Sequence, residues 1–129
     1  MESSSKHSSN TAKDVVLSYQ RALGNQDYKA ARSYMADQFS FQGPLATHDK
    51  PEGLLKDLEQ LHHIVKGVEM KKIFVDGDDV CLLYNLITSN APLKSFTAQW
   101  YHVQGGKIAS IRVVFDARPF AAMLQAGSH

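Results

Sequence analysis

The side chains able to move protons or hold ions are few and scattered along the chain. Of the six histidines, His62 and His63 occupy adjacent positions, which on a helix point about 100° apart and do not converge on one ion. His48 lies in a loop, with no cysteine or carboxylate cluster at ligand spacing to complete a shell. Asp76, Asp78 and Asp79 form an acidic turn without the loop length or closing glutamate of a calcium hand. No metal and no cofactor is therefore expected. Cys81, the sole cysteine, sits inside an apolar run, the setting of a buried inert thiol rather than a nucleophile. No Gly-rich phosphate loop and no Ser-His-Asp or Cys-His pattern stands out. His102 and Asp116 would suit acid–base work if the fold brings them together, because an imidazole titrates near neutral pH and a partly buried carboxyl is pushed up toward it. Two readings compete with it. Asp116 precedes Ala117-Arg118-Pro119 and can cap a terminal helix. Strand alternation also puts His102 on the face opposite Gln99 and Tyr101.

The elements that must position these groups fit one domain. A chain of 129 residues, 43% hydrophobic and 21% charged, buries roughly two-thirds of its unfolded surface. The net charge of +1, without long blocks of one sign, gives no footprint for nucleic acid or an acidic membrane. No stretch approaches the roughly 18 to 20 apolar residues of a membrane span, and the N-terminus lacks the apolar core of a signal peptide. A cytoplasmic protein is expected, which suits the lone thiol. Residues 1–10, rich in serine, read as a disordered tail, and residues 11–126 as the domain.

From Thr11, the positions of Val15, Val16, Tyr19, Ala22 and Leu23 predict a helix, with Asn10 or Thr11 as cap and Gly24-Asn25 as stop. A second helix is expected over Asp27 to Ala36, burying Tyr28, Ala31, Tyr34 and Met35. Phe39 to Gln42 alternate as a short strand before Gly43-Pro44. Pro51 opens a third helix, with Asp49 as cap, whose stripe of Leu54, Leu55, Leu58, Leu61, Ile64 and Val65 runs to Lys66-Gly67. Beyond it, Asp76-Gly77-Asp78 and Gln104-Gly105-Gly106 punctuate an antiparallel meander over Val68–Val75, Val80–Thr88, Lys94–Val103 and Lys107–Phe115. A short helix at Pro119–Leu124 closes the domain. In the strand from Val80 both alternating sets are apolar: Val80, Leu82, Tyr84 and Leu86 against Cys81, Leu83 and Ile87. Such a strand is covered on both faces. Three short helices cover one face only, so a symmetric homodimer through the other face is expected.

This order resembles the nuclear transport factor 2-like superfamily, and within it the SnoaL-like and ketosteroid-isomerase-like group. The resemblance rests on the helix hairpin with Tyr19, Asn25, Asp27 and Ala36-Asp37, and on the ending from Gly105-Gly106-Lys107-Ile108 through Phe115-Asp116 to Pro119. It implies an α+β, cone-shaped fold: three N-terminal helices on a curved antiparallel sheet, a short C-terminal helix, and a cavity between sheet and helices. The family's steroid isomerases use a helix-one tyrosine and a strand acid as oxyanion donors, with a carboxylate base before a proline. Tyr19 falls at the tyrosine, Gln99 at the strand acid and Gly43 at the base. Glycine has no proton acceptor, so steroid isomerisation is not expected. The strand Gln99-Trp100-Tyr101 also lacks the Arg and Asp pairing of the epoxide-hydrolase branch. By the same resemblance, Asp116 stands near the acid of SnoaL-like cyclases, leaving Tyr19, Gln99 and Asp116 as catalytic candidates. Tyr34, Met35, Phe41, Tyr84, Tyr101 and Phe115 would line the cavity around a small apolar ligand, although each is equally at home in a core. Two functions follow as expectations: isomerase-, cyclase- or hydratase-type acid–base chemistry, or a binding or interaction module without chemistry.

Overall fold

The structure, a computed structural model, describes residues 11–89 and 94–119. The expected N-terminal tail and nearly all of the expected helix at Pro119–Leu124 lie outside the described residues. Helix α1 (Ala12–Gly24) starts where Thr11 Oγ1 accepts the Asp14 N–H at 3.2 Å. It buries Val15, Val16, Tyr19 and Ala22. Helix α2 (Tyr28–Ser33) is capped by the Asp27 carboxylate on the Ala30 N–H. The expected continuation to Ala36 does not occur, because the Tyr34 carbonyl accepts the Ile108 N–H at 2.8 Å and draws the backbone into a sheet. Strand β1 therefore runs over Met35–Gln42, longer than the alternation of Phe39 to Gln42 implied. A two-residue strand β2 (Thr47–His48) pairs with it, a feature the sequence did not signal.

Helix α3 (Pro51–His62) begins at proline, but Lys50 holds the cap position without a side-chain bond, so Asp49 is not the cap. The helix also stops short of the expected Lys66-Gly67. Ile64 O accepts the Ser89 N–H and Val65 pairs with Thr88, so residues read as the last helical turn open strand β3 (Val65–Asp76). Strands β4 (Asp79–Thr88), β5 (Lys94–Gln104) and β6 (Lys107–Val114) complete the sheet. Its order is β2-β1-β6-β5-β4-β3, antiparallel except for the β1–β6 pair. The tight hairpins place Gly77 at φ 60°, and Gly105 and Gly106 at φ 60° and 77°, where side chains are disfavoured.

The register divides the sheet into two faces. On the inner face, Phe41, Ile111, Tyr101 and Val80 lie in one row across β1, β6, β5 and β4. Val113, Gln99, Leu82 and Ile73 form the next row, and Thr97, Tyr84 and Met70 the third. Helix α1 packs on these rows where they cross β4, β5 and β6, and Val16, Val80, Leu82 and Ile108 are fully buried, each contributing about 1.5–3 kcal/mol of apolar burial. The outer face carries Phe74, Cys81 and Trp100 in one row, with Leu83, Ala98, Val114 and Phe96 beside it. Phe96 is 58% exposed and Trp100 48%. The second apolar set of β4 thus faces outward, and among the described residues no helix covers it.

Candidate functional site

Polar groups converge inside the cone where α1 crosses β4 and β5. Tyr19 and Tyr101 are 1% and 0% exposed, with ring centroids 6.0 Å apart in an edge-to-face arrangement. Gln20 Nε2 donates to Tyr101 Oη and, at 3.3 Å, to Gln99 Oε1; Tyr101 Oη donates to the same Gln99 oxygen at 2.5 Å. Tyr101 and both carboxamides therefore satisfy one another. The Tyr19 hydroxyl has no hydrogen-bond partner among the described residues, although the side chain is almost wholly buried. A buried hydroxyl without a partner costs about 1–3 kcal/mol, so its retention calls for a reason.

Electrostatics keeps these phenols protonated. Burial raises Tyr19 well above the usual phenol value, and nearby Tyr84 adds to the rise. Burial pushes Tyr84 up to about 12. Tyr101 is raised by burial and by the closeness of Tyr19 and Tyr84, with the Gln20 hydrogen bond opposing in part. Among the described residues no carboxylate, imidazole or ammonium group hydrogen-bonds to this cluster. It is a set of neutral donors and acceptors, able to bind and polarise an oxygen and unable to abstract a proton.

The expected residues divide accordingly. Tyr19, Gln99, Tyr101 and Tyr84 are brought together. Phe41 shares the inner row of Tyr101 but lies two strands away, its ring 5.9 Å from that of His48. Tyr34 and Met35 sit at the junction of α2 and β1, Met35 buried and Tyr34 partly so. Phe115 packs partly buried against the core just past β6. Asp116 stands apart: its carboxylate accepts the Arg118 backbone N–H at 3.1 Å and two guanidinium bonds at 2.9 and 2.6 Å. Those bonds hold it at about 2, a weak base. His102 is on the outer face, with Nδ1 2.9 Å from Asp79 Oδ1, an oxygen that also accepts Trp100 Nε1–H. His102 pairs with Ser110, six residues before Asp116, roughly 20 Å along the strand direction. The two do not form a couple.

Gln20 was missed by the sequence reading. Its signal was a polar residue four positions after buried Val16, on the stripe that should be apolar. At the position of the absent base, a Cβ on Gly43 would come within 3.1 Å of the Phe41 ring. Past Tyr84 the inner face opens: Met70, its cross-strand partner, and Val68, opposite Leu86, are both exposed. This apolar strip adjoins the tyrosine cluster on the side the helices do not cover. Among the described residues no group of His, Cys, Asp and Glu could hold a metal, and no helix is long and apolar enough to cross a membrane.

Helices packed on one face of a curved six-stranded sheet are the arrangement of the nuclear transport factor 2-like class. The profile of the SnoaL-like domain matches residues 16–111, and the chain belongs to that family. Among solved structures, an NTF2-like protein of unknown function from Cytophaga hutchinsonii is 30% identical, with a TM-score of 0.75 over 86% of this chain and 95% of its own. A protein from Shewanella denitrificans described as a candidate SnoaL-like polyketide cyclase is 14% identical, with a TM-score of 0.70 over 89% and 97%. An LEH-like epoxide hydrolase of M. tuberculosis is 20% identical, with a TM-score of 0.70 over 88% and 90%. The last two share the fold alone. No curated protein matches the chain.

Proposed function

We propose that this protein binds a small, mainly apolar molecule through an acceptor oxygen such as a carbonyl, in the cone between α1 and the inner face of β4 and β5. The observation that carries this reading is the hydroxyl of buried Tyr19, unpartnered among the described residues, beside a Gln20–Tyr101–Gln99 network that is already satisfied. Tyr19 donates to the ligand oxygen, Gln99 and Tyr101 set the polarity of the floor, and Tyr84 with the exposed strip of Val68 and Met70 forms the apolar approach.

The reading is of a binding protein, since the cluster lacks a proton acceptor and Gly43 offers none. The acid–base alternative, an isomerase, cyclase or hydratase using Tyr19, Gln99 and Asp116, requires Asp116 to leave Arg118 and turn inward. The two are separated by extracting whatever co-purifies with the chain and incubating it with the wild type, Tyr19→Phe and Asp116→Asn. The binding reading expects ligand retention lost in Tyr19→Phe, kept in Asp116→Asn, and no conversion by the wild type. Turnover that disappears in Asp116→Asn overturns it in favour of catalysis.

We further propose that the chain works as a homodimer through the outer sheet face. Support comes from Phe74, Phe96, Trp100 and Val114, large apolar side chains exposed together on that face. A lone, partly buried thiol suits the cytoplasm as its location.

A further inference from the structure

On the outer side of the sheet, away from the cone, β2, β1 and β6 form a recess of about 500 Å3. Its floor is built in register: Ser40 lies opposite Ser110, Gln42 opposite Arg112, and Thr47 opposite Gln42. With strands about 4.8 Å apart and same-face neighbours about 6.6 Å apart, five polar side chains occupy a patch the size of one small molecule. Arg112 Nη2 donates to Gln42 Oε1 at 2.8 Å, which ties the guanidinium to the β1 side of the recess. Its other N–H donors have no partner among the described residues, nor do the hydroxyls of Ser40, Thr47 and Ser110. A second recess beside α2 differs: its Arg32 is already spent on Glu52, Asp37 and the Met35 carbonyl.

From this arrangement we infer that the outer recess is a binding site for a small hydroxycarboxylate. A planar guanidinium with free donors matches a carboxylate in two-point fashion, and the surrounding hydroxyls supply donors and acceptors for a neighbouring hydroxyl group. Charge selects carboxylate over phosphate. Arg112 is the one lysine or arginine lining the recess among the described residues, Asp49 also lines it, and His48, a further lining residue, is hydrogen-bonded to Asp57 at 2.6 Å. One positive and one negative group accept a monoanion far better than a dianion. The site is on the opposite face from Tyr19 and stands independently of the cone ligand; it borders the proposed dimer face, Arg112 lying in one row with Trp100, and requires that a dimer leave this edge of the sheet open.

The test is a titration of the full chain with sodium lactate, and separately with inorganic phosphate, at constant ionic strength, followed by 1H–15N NMR including arginine Nε–H signals. Saturable lactate shifts confined to residues 40–42, 47 and 110–112 are expected, with affinity falling at least about tenfold in Arg112→Gln and unchanged in Arg118→Gln. Retention of binding in Arg112→Gln, shifts spread over all the arginines, no saturable shift, or tighter binding of phosphate than of lactate each overturns the inference. A cone that is empty in the same sample leaves it intact, and occupancy of the cone without shifts in the recess removes it alone.

Discussion

Tyr19 and Tyr101 lie side by side in the same interior, yet replacing each with phenylalanine is expected to change stability in opposite directions. In Tyr101→Phe the lost hydroxyl takes with it an acceptor for Gln20 and a donor to Gln99. Two half-buried amides are left short of partners, which costs about 1–3 kcal/mol. In Tyr19→Phe the lost hydroxyl had no partner among the described residues, so the substitution removes a buried polar group's desolvation penalty and stabilises by up to about 1 kcal/mol. For a domain of this size each kcal/mol moves Tm by about 3–5 °C, so Tyr101→Phe should melt about 3–15 °C below wild type and Tyr19→Phe at or slightly above it. The pair controls for ring packing, because both rings stay. Thermal melts and urea titrations on ligand-free protein, stripped by unfolding and refolding, read the difference. If Tyr19→Phe destabilises as much as Tyr101→Phe, the Tyr19 hydroxyl has a structural partner and the argument that it awaits a ligand fails.

Three further outcomes follow from the same geometry. A Cβ on Gly53 would lie 2.5 Å from His48 Nδ1, and Asp57 pins that ring; Gly53→Ala should therefore cost about 1–3 kcal/mol, with most of it recovered in the Gly53→Ala, His48→Ala double variant by urea denaturation. The Asp116 carboxyl, held by Arg118, should titrate at about 2 by NMR and return toward the ordinary carboxyl range in Arg118→Gln. Because its folded value is depressed, any stability it adds is present above the ordinary carboxylate value and is lost as pH falls toward about 2. If the proposed dimer forms through the outer face, replacing exposed Phe96 with lysine should give a monomer in light scattering without unfolding the chain, and a wild type that is already monomeric contradicts the interface.

The helix hairpin, the meander and their turns were legible because their signals are local. Thr11 at a cap, apolar spacing along α1, and glycines where the backbone turns left-handed each act within a few residues. The misplaced boundaries were decided at long range. Met35 and Val65 have side chains equally suited to a buried helical stripe, and what made them strand residues was a backbone partner elsewhere, Ile108 for one and Thr88 for the other. The same distinction separates the parts of the site. Tyr19, Gln99, Tyr101 and Tyr84 were named from the sequence and do converge, since strand alternation and the helical stripe both point inward. Gln20 was not, because a polar residue on an apolar stripe gains meaning only once Tyr101 and Gln99 stand opposite it. Asp116 looked chemical at the end of a strand, and only the fold of the next two residues shows that Arg118 occupies its carboxylate.

The central claim, that buried Tyr19 donates to a ligand oxygen inside the cone, is tested most directly with two probes of one shape: 2-acetylnaphthalene and 2-isopropenylnaphthalene, which exchanges the carbonyl oxygen for a methylene group. Their affinities for the wild type and Tyr19→Phe are measured by NMR titration. The account predicts that the ketone binds the wild type about tenfold more tightly than the alkene, with shifts at Tyr19, Tyr84 and Tyr101, and that the preference vanishes in Tyr19→Phe. Equal affinities in the wild type, a preference that survives in Tyr19→Phe, or no binding of either probe in the cone contradicts it.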